Sequence, residues 1–261
     1  TCLAEGFAGD LWVGTTHGAI RCVDGVHHYF AGRRSLPGEH VYAIASAGRS
    51  AWMATDRGLA EIRYEPFTLA KKAAWYEAHL DAWGQKRLGF THKLEWDAPL
   101  GEYVREVSDN DGGYSGDYLA AQAYRWAVTR DPVARREATN TFHAIRWLES
   151  MTGLPGFPAR AVWAKGERGH KAGHGSGGYA AEWNDVEGGL FEWKGDTSSD
   201  EIASQFYAVT VFLELAAEGA EIEQGKRHLT RIADHLLRNG WKLVDRDGKP
   251  SRWGHWDPEY F

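Results

Sequence analysis

The stretch Trp126-Ala-Val-Thr-Arg-Asp-Pro-Val133 contains the end of one predicted helix and the start of the next. Before it, apolar residues recur at helical spacing and predict a helix over Asp117–Thr129. Asp131 followed by Pro132 is a helix start, because the aspartate caps free amide groups and proline is tolerated at the first helical position. The next helix is predicted to end at about Met151. So short a link forces the two helices to be antiparallel neighbours.

Three further helices are predicted from the same spacing of apolar residues. They are Thr68–Leu88, Ser199–Ala217 and Glu221–Asn239. The last two are joined only by Glu218–Ala220, so they are also predicted to be antiparallel. The sequence therefore predicts a mainly α domain of antiparallel helical hairpins over residues 66–261.

The first 65 residues contain a repeat of short predicted strands instead. Leu11-Trp-Val-Gly-Thr-Thr-His-Gly-Ala-Ile20 is echoed 40 residues later by Ala51-Trp-Met-Ala-Thr-Asp-Arg-Gly-Leu-Ala60. A period of roughly 40–45 residues is the spacing of a propeller blade. Gly18 and Gly58 are predicted at tight turns between two strands. We therefore expect an all-β segment of about two blade repeats, an incomplete propeller, over residues 1–65.

This pattern resembles the two-component-regulator propeller repeat over roughly residues 9–63. Propellers close with about 4–8 blades. Either the chain is a fragment of a longer parent, which supplies the remaining blades as partners of this segment, or these strands pack on the helical domain. The first interpretation is favoured.

Composition excludes some classes of partner. The net charge is −6 and basic residues are dispersed, which argues against a nucleic-acid partner. No apolar run approaches the roughly 18 residues of a membrane-spanning helix, so no membrane partner is predicted. Cys2 and Cys22 are either one bridge or two unpaired thiols, and the second interpretation is favoured.

Connection lengths predict where the unusual segments lie. If the middle helices are also antiparallel, four long segments meet at one end of the helical domain, which we call the loop end. They are Arg105–Gly116, Gly153–Arg160, Trp193–Glu201 and Gly248–Glu259. A scaffold with its long loops on one end commonly binds a ligand there.

Carboxylates are the first candidates at the loop end. Asp111 and Asp200 are predicted as an acid/base pair, with Asp109 and Asp196 as substitutes. Glycoside hydrolysis needs paired carboxylates, one to protonate the leaving oxygen and one to act as base or nucleophile. The alternative is structural, because acidic groups are also stabilised at helix N-termini.

The segment Lys194-Gly-Asp-Thr-Ser-Ser-Asp-Glu201 contributes two predicted substrate-binding residues, Lys194 and Glu201. For Glu201 the alternative is a capping box with Ser198, three residues earlier.

Basic, aromatic and proton-transferring residues complete the candidate site. Arg160 and Arg252 are predicted to bind a sugar carboxylate, the alternative being a carboxylate partner inside the loop end. Tyr114 and His255 are candidates for proton transfer. The predicted platforms for sugar rings are Trp193, Trp253 and Trp256.

No metal ion or cofactor is predicted. His170 and His174 lie among Gly, Lys and Ser residues without a helix to align them. The stretches Asp109-Asn-Asp-Gly112 and Asp245-Arg-Asp-Gly248 lack the remainder of a calcium loop. The second is better interpreted as a hairpin turn.

Four motifs taken together carry a further resemblance. They are Ser-Asp-Asn-Asp-Gly at 108–112, Tyr-Leu-Ala-Ala-Gln-Ala at 118–123, Thr-Gly-Leu-Pro-Gly-Phe-Pro-Ala-Arg at 152–160 and Lys-Gly-Asp-Thr-Ser-Ser-Asp-Glu at 194–201. Over about residues 90–257 the chain resembles bacterial proteins that join regulator-propeller repeats to an α/α-toroid domain like that of polysaccharide-degrading enzymes. The resemblance implies a truncated α/α toroid, further helices in a longer parent and a periplasmic or extracellular location. It implies an active site at the long-loop end.

The sequence therefore predicts a carbohydrate-active enzyme acting on an acidic oligosaccharide or polysaccharide. Hydrolysis would use the aspartates, whereas β-elimination would use Tyr114 or His255 as base with an arginine neutralising the sugar carboxylate. The alternative is a non-catalytic glycan-binding or sensory module, which needs no pair of acids facing one another.

Overall fold

A computed structural model describes residues 1–107, 109–171, 183–186 and 188–260. The chain divides into two compact units, Thr1–Ala74 and Trp75–Phe261. We describe each unit by itself.

The prediction of a mainly α fold is wrong. Of the described residues, 36% are helical and 30% lie in strands of six small sheets, so the chain is mixed α/β. The long segments between helices, which had no strand periodicity, contain strands of only two to six residues. Strands this short cannot be recognised from an alternating pattern.

Short antiparallel strands make up the first unit. A four-stranded sheet contains β1 (Cys2–Glu5), β2 (Leu11–Thr15), β3 (Gly18–Val23) and β4 (Val26–Phe30). A three-stranded sheet contains β5 (Val41–Ala47), β6 (Ser50–Thr55) and β7 (Gly58–Arg63). Both cysteines are free thiols.

The 40-residue repeat recurs in the turns of these sheets. Thr15 Oγ1 donates to the Gly18 carbonyl at 2.8 Å, and Thr55 Oγ1 donates to the Gly58 carbonyl at 2.8 Å. Gly18 and Gly58 have φ of 121° and 138°, so the tight turns predicted there are present.

The two copies bury opposite faces of their strands. Trp12 is buried, whereas its repeat equivalent Trp52 is exposed. In β6 the neighbours Ala51 and Met53 are buried instead. All the buried members belong to one core shared by both sheets. When two similar sheets stack in the same orientation, one sheet packs with one face and the other with its opposite face. Because successive side chains in a strand point to opposite faces, equivalent residues of the two copies then differ in burial.

Five helices occur in the described part of the chain. They are α1 (Leu69–Ala82), α2 (Asp111–Thr129), α3 (Pro132–Ser150), α4 (Ser199–Leu215) and α5 (Ala220–Arg238). Asp131 caps α3 as predicted, since its carboxylate accepts a hydrogen bond from the Val133 amide at 2.9 Å. None of these helices is long and apolar enough to cross a membrane.

Helices α2 and α4 run in parallel at close range because α2 begins with glycines. A Cβ at Gly112 would lie 2.1 Å from Oε1 of Glu201, and one at Gly116 would lie 2.3 Å from Oγ of Ser204. Ser204 Oγ donates to the Gly113 carbonyl at 2.9 Å. The N-termini of both helices therefore lie at the same end of the unit.

Short strands surround this end. They are β8 (Lys86–Arg87), β9 (Phe90–Thr91), β10 (Leu94–Asp97), β11 (Glu102–Val107), β12 (Ala161–Ala164), β13 (His170–Lys171), β14 (Trp183–Asp185), β15 (Phe191–Lys194), β16 (Lys242–Val244) and β17 (Pro250–His255). The hairpin turn predicted at Asp247-Gly248 joins β16 to β17. Only the β11–β13 pair is parallel among the described pairings of this unit.

The two larger of the three apolar cores among the described residues of the second unit support its helices. One lies between α2, α3 and α4, where Phe142 and Phe212 stack with ring centroids 4.5 Å apart. The other contains Phe157, Trp193 and Ile232 and joins the helices to the short sheets. The loop end is thus anchored on a packed core.

Candidate functional site

The four long segments of the loop end meet around the N-termini of α2 and α4. The Asp111 amide donates to the Arg160 carbonyl at 3.0 Å, and the Arg160 amide donates to the Lys194 carbonyl at 2.8 Å. Ser251 Oγ donates to the Thr197 carbonyl at 2.6 Å. Connection lengths, with the assumption that the middle helices are antiparallel, predicted this convergence.

Asp109 and the two cations beside it form one charged group at the loop end. Nε of Arg160 lies 2.9 Å from Oδ1 of Asp109, and Nζ of Lys194 lies 3.3 Å from the same oxygen. A terminal nitrogen of Arg160 also donates to the Asp196 carbonyl at 2.9 Å. Both cations are buried, so their charges interact with Asp109 inside the protein rather than with solvent.

Asp196 forms a second ion pair with Arg252. Its Oδ1 accepts from the Arg252 amide at 2.7 Å, and its Oδ2 accepts from Nε of Arg252 at 2.6 Å. The Asp196 amide donates to Asp245 at 2.8 Å, and burial raises the pKa of Asp245. Asp196 therefore ties β17 to the start of α4.

Asp111, the predicted acid, is bound to the backbone. Its Oδ2 accepts from the Val162 amide at 2.9 Å, and Nδ1 of His92 lies 3.4 Å from its Oδ1. The residue is only 1% exposed. Its predicted partner Asp200 is exposed and accepts from Nδ2 of Asn110 at 2.7 Å. The two carboxylates thus have different partners and very different exposure.

Glu201 is fully buried between α2 and α4. Its Oε2 accepts from the Gly113 amide at 2.7 Å, and its Oε1 accepts from Nε2 of Gln205 at 2.8 Å. Burial, with smaller contributions from the charges of Asp111 and Asp200, raises the pKa of Glu201 to about 8. Since its carboxylate accepts from Gly113 of another helix, the capping box with Ser198 is not formed.

The polar chain continues from Glu201 into α5. Gln205 Oε1 lies 2.9 Å from Nε2 of His228. Burial lowers the pKa of His228 to about 3, so its ring is neutral. Glu201, Gln205 and His228 therefore form a buried network rather than a ligand site.

The remaining proton-transfer candidates differ in accessibility. His255 Nδ1 lies 3.3 Å from Asp257, and its ring stacks on Tyr260 with centroids 4.7 Å apart. Tyr114 lies on α2 and is 42% exposed.

The three predicted tryptophan platforms are also distributed differently. Trp193 lies in the core against Phe157 and has no accessible ring face. Trp253 is exposed. Trp256 lines an apolar cavity of about 330 Å³ with Trp241 and Phe206. This cavity has no polar side chain other than the tryptophan rings, which does not suit a sugar.

Tyr114 lines a larger cavity, which we call the Tyr114 cavity. Its volume is about 460 Å³, and its lining residues are Leu80, Gln85, Thr91, His92, Lys93, Tyr114, Asp117 and Tyr118. The backbone of β9 is held to α2, because the Thr91 amide donates to Oγ of Ser115 at 3.0 Å. A rigid pairing therefore positions the walls of the cavity.

Two neighbouring cavity residues have different roles. Lys93 has a half-exposed side chain, and its Nζ lies 2.8 Å from the buried Glu106 carboxylate. Burial lowers the pKa of Lys93, but the hydrogen bond to Glu106 and the nearby Tyr114 and Asp109 outweigh this and raise it overall. Lys93 therefore stays charged at neutral pH. His92 is buried, with Nε2 3.4 Å from Arg87, so it serves as a wall.

Thr91, His92 and Lys93 were not predicted from the sequence. Thr91 ends the two-residue strand β9, and His92 and Lys93 follow it. The preceding two-residue strand, β8, overlaps the predicted first helix. No sequence motif indicates that these three residues line a cavity.

No cluster that could hold a metal ion occurs among the described residues. His170 has its two ring nitrogens 3.0 Å from Glu95 and 2.9 Å from Asp97. These hydrogen bonds raise the pKa of His170. His174 lies outside the described residues.

No family model, curated protein or solved structure matches this chain.

Proposed function

We propose that the second unit binds an acidic saccharide in the Tyr114 cavity. The observation that carries the proposal is the composition of the cavity, which combines an exposed tyrosine, a charged lysine and hydrogen-bonding groups in a volume of about 460 Å³. This volume lies in the range of about 300–1,000 Å³ that is usual for small-molecule sites.

The aromatic walls suit a sugar ring. Tyr114 is exposed and Tyr118 is half-buried on the next turn of α2. The Tyr118 hydroxyl donates to Glu77 at 2.7 Å, so its ring rather than its hydroxyl is offered to the cavity. Apolar C–H faces of a sugar can pack on such rings, and Gln85, Thr91 and Asp117 supply hydrogen-bonding groups beside them.

The charge of Lys93 favours an acidic ligand. Its ammonium group has one buried carboxylate partner, Glu106, and a half-exposed side chain. An ammonium group carries three donors, so it can hold a sugar carboxylate while it keeps the bond to Glu106.

The structure of the loop end supports binding of a saccharide better than it supports hydrolysis in which Asp111 and Asp200 are the catalytic pair. Hydrolysis needs two carboxyl groups facing one scissile bond, and Asp111 is buried and bound to the Val162 amide. Arg160 and Arg252, the predicted uronate ligands, are paired with Asp109 and Asp196. The loop end thus supplies a rigid support for the neighbouring cavity.

β-Elimination is a second candidate, favoured by the placement of Lys93 and Tyr114 in the lining of one cavity. Lys93 would neutralise the sugar carboxylate. Tyr114, as phenolate, would take the proton from the carbon next to the carboxylate. The electron pair would form the new double bond as the bond to the leaving oxygen breaks, and the phenol would return the proton to that oxygen.

The first test is a binding panel of uronate oligosaccharides prepared from pectin, alginate and hyaluronan, each beside its carboxyl-reduced counterpart. We expect calorimetric titration to detect at least one uronate series, with its reduced counterpart binding at least tenfold more weakly. Tyr114→Ala is expected to weaken binding by about tenfold, because loss of one stacking ring costs on the order of 1 kcal/mol or more.

Tyr124→Ala is the matched control, since Tyr124 lies on the same helix with similar exposure but outside the cavity. Equal loss in both variants, or no binding across the panel, would overturn the proposal. The same samples report on elimination through absorbance of unsaturated uronate products. If product forms, Tyr114→Phe should abolish it while preserving binding.

A further inference from the structure

A second cavity lies at the end of α1 beside the Tyr114 cavity. We call it the Trp83 cavity. Its volume is about 140 Å³, and it is lined by Trp83, Gly84, Tyr103, Val104, Arg105 and Arg168. Trp83 and Tyr103 are both exposed. The cavity therefore joins two accessible aromatic rings to two guanidinium groups.

Arg105 differs from the arginines of the loop end in its partners. Its terminal nitrogens donate to the Gly84 carbonyl at 3.0 Å and to the Arg168 carbonyl at 3.4 Å. In the described part of the chain, no carboxylate lies within ion-pair distance of Arg105, whereas Arg168 pairs with Glu102. Each terminal nitrogen carries two N–H donors, so the Arg105 guanidinium keeps both its charge and unused donors.

Residues that are close in the sequence at the end of α1 line the two cavities. Leu80 lines the Tyr114 cavity and Trp83 lines the Trp83 cavity, one turn apart at the end of α1. One helical turn is about 5.4 Å long. Gly84 lines the Trp83 cavity, and the next residue, Gln85, lines the Tyr114 cavity.

We propose that the Trp83 cavity is a second subsite, in which Arg105 binds the carboxylate of a neighbouring uronate residue beside Trp83 and Tyr103. This inference rests on the proposed function of the Tyr114 cavity. It specifies the ligand as an oligosaccharide that carries carboxylates on successive residues. A fixed guanidinium suits this task, because it can hold both oxygens of a carboxylate.

The test is a length series, from disaccharide to hexasaccharide, of the uronate type that binds most tightly in the panel. In the unmodified protein we expect affinity to rise about tenfold between the disaccharide and the tetrasaccharide. Trp83→Ala and Arg105→Gln should each remove most of that rise and leave disaccharide affinity within about twofold. The control is Trp241→Ala, a similarly exposed tryptophan outside both cavities.

The outcomes separate the two proposals. If disaccharides bind and Tyr114→Ala weakens them, but neither Trp83→Ala nor Arg105→Gln alters the length dependence, the second subsite is overturned and the Tyr114 cavity stands. An equal effect of Trp241→Ala also overturns the subsite. If no uronate oligosaccharide of any length binds, both proposals fail. Circular dichroism of each variant verifies that it is folded. Arg168→Ala replaces an exposed side chain of the Trp83 cavity, so this variant disturbs the fold less.

Discussion

Glu201→Gln is expected to stabilise the protein at pH 8 and above by about 2–4 kcal/mol. The pKa of Glu201 is raised to about 8 by its burial, from an ordinary value of 4.5. Between these two pH values the unfolded chain releases the proton while the folded protein keeps it. The free energy of unfolding therefore falls as pH rises through this window.

Glutamine removes this titration and keeps the main contact. Its amide oxygen can still accept the hydrogen bond from the Gly113 amide, which Glu201 accepts at 2.7 Å. The stability difference between variant and parent should be small at pH 4, grow from about pH 5 and level off above pH 8. Urea denaturation at each pH measures it.

Asp200→Asn is the matched control, because it removes a carboxylate from the adjacent, exposed position. We expect this control to be neutral or slightly destabilising, since an acid at a helix N-terminus is favourable. If Glu201→Gln is no more stable than the parent at pH 8, Glu201 is ionised in the folded protein at that pH. The buried network from Gly113 to His228 would then carry a negative charge.

Gly156→Ala is expected to destabilise the protein by about 3 kcal/mol or more. Gly156 has φ of 78°, and a Cβ there would lie 2.0 Å from the Arg231 carbonyl oxygen in α5. Its amide also donates to Oε1 of Glu149 at 2.7 Å. An added methyl group would force the Gly153–Arg160 turn away from α5 and disturb the support of the loop end.

Gly153→Ala separates strain from crowding. Gly153 also has a positive φ, 68°, but a Cβ there meets no atom within 4 Å. Its replacement should cost only about 1 kcal/mol, the penalty of a left-handed conformation. Denaturant unfolding of both variants gives the comparison, and equal costs would show that the contact with α5 is not tight.

The helices were predictable where capping and periodicity agree. The predicted start of α3 at Asp131-Pro132 is confirmed, and both ends of α4 and α5 lie within two residues of the predicted ones. Helix α2 begins at Asp111 rather than Asp117. Its first turns contain three glycines, which disfavour a helix locally but allow the close approach of α4. Tertiary packing thus determines the start of α2, which helix propensity alone does not predict.

Residue type alone did not predict which loop-end side chains are accessible. Trp193 was predicted as a sugar platform because glycines and acids surround it, yet it is buried in the core. Arg160 and Lys194 are cations that share Asp109. Such pairings depend on long-range contacts between segments, which a single sequence does not contain.

The accessible cavity was only partly predictable. Tyr114 was a proton-transfer candidate because it lies in the Arg105–Gly116 segment, which was predicted at the loop end. Lys93 follows a two-residue strand and pairs with Glu106 of β11, so its position depends on sheet contacts rather than on a motif.

The most direct measurement of the central claim is lysine labelling with an amine-reactive ester, with and without the tightest-binding uronate oligosaccharide of the panel. Lys93 and Lys226 both have accessible side chains, 46% and 63% exposed, and only Lys93 lines the Tyr114 cavity. Peptide mass spectrometry should show that saturating saccharide lowers labelling of Lys93 several-fold and leaves Lys226 unchanged. Unaltered labelling of Lys93 at saturation would contradict binding in the Tyr114 cavity.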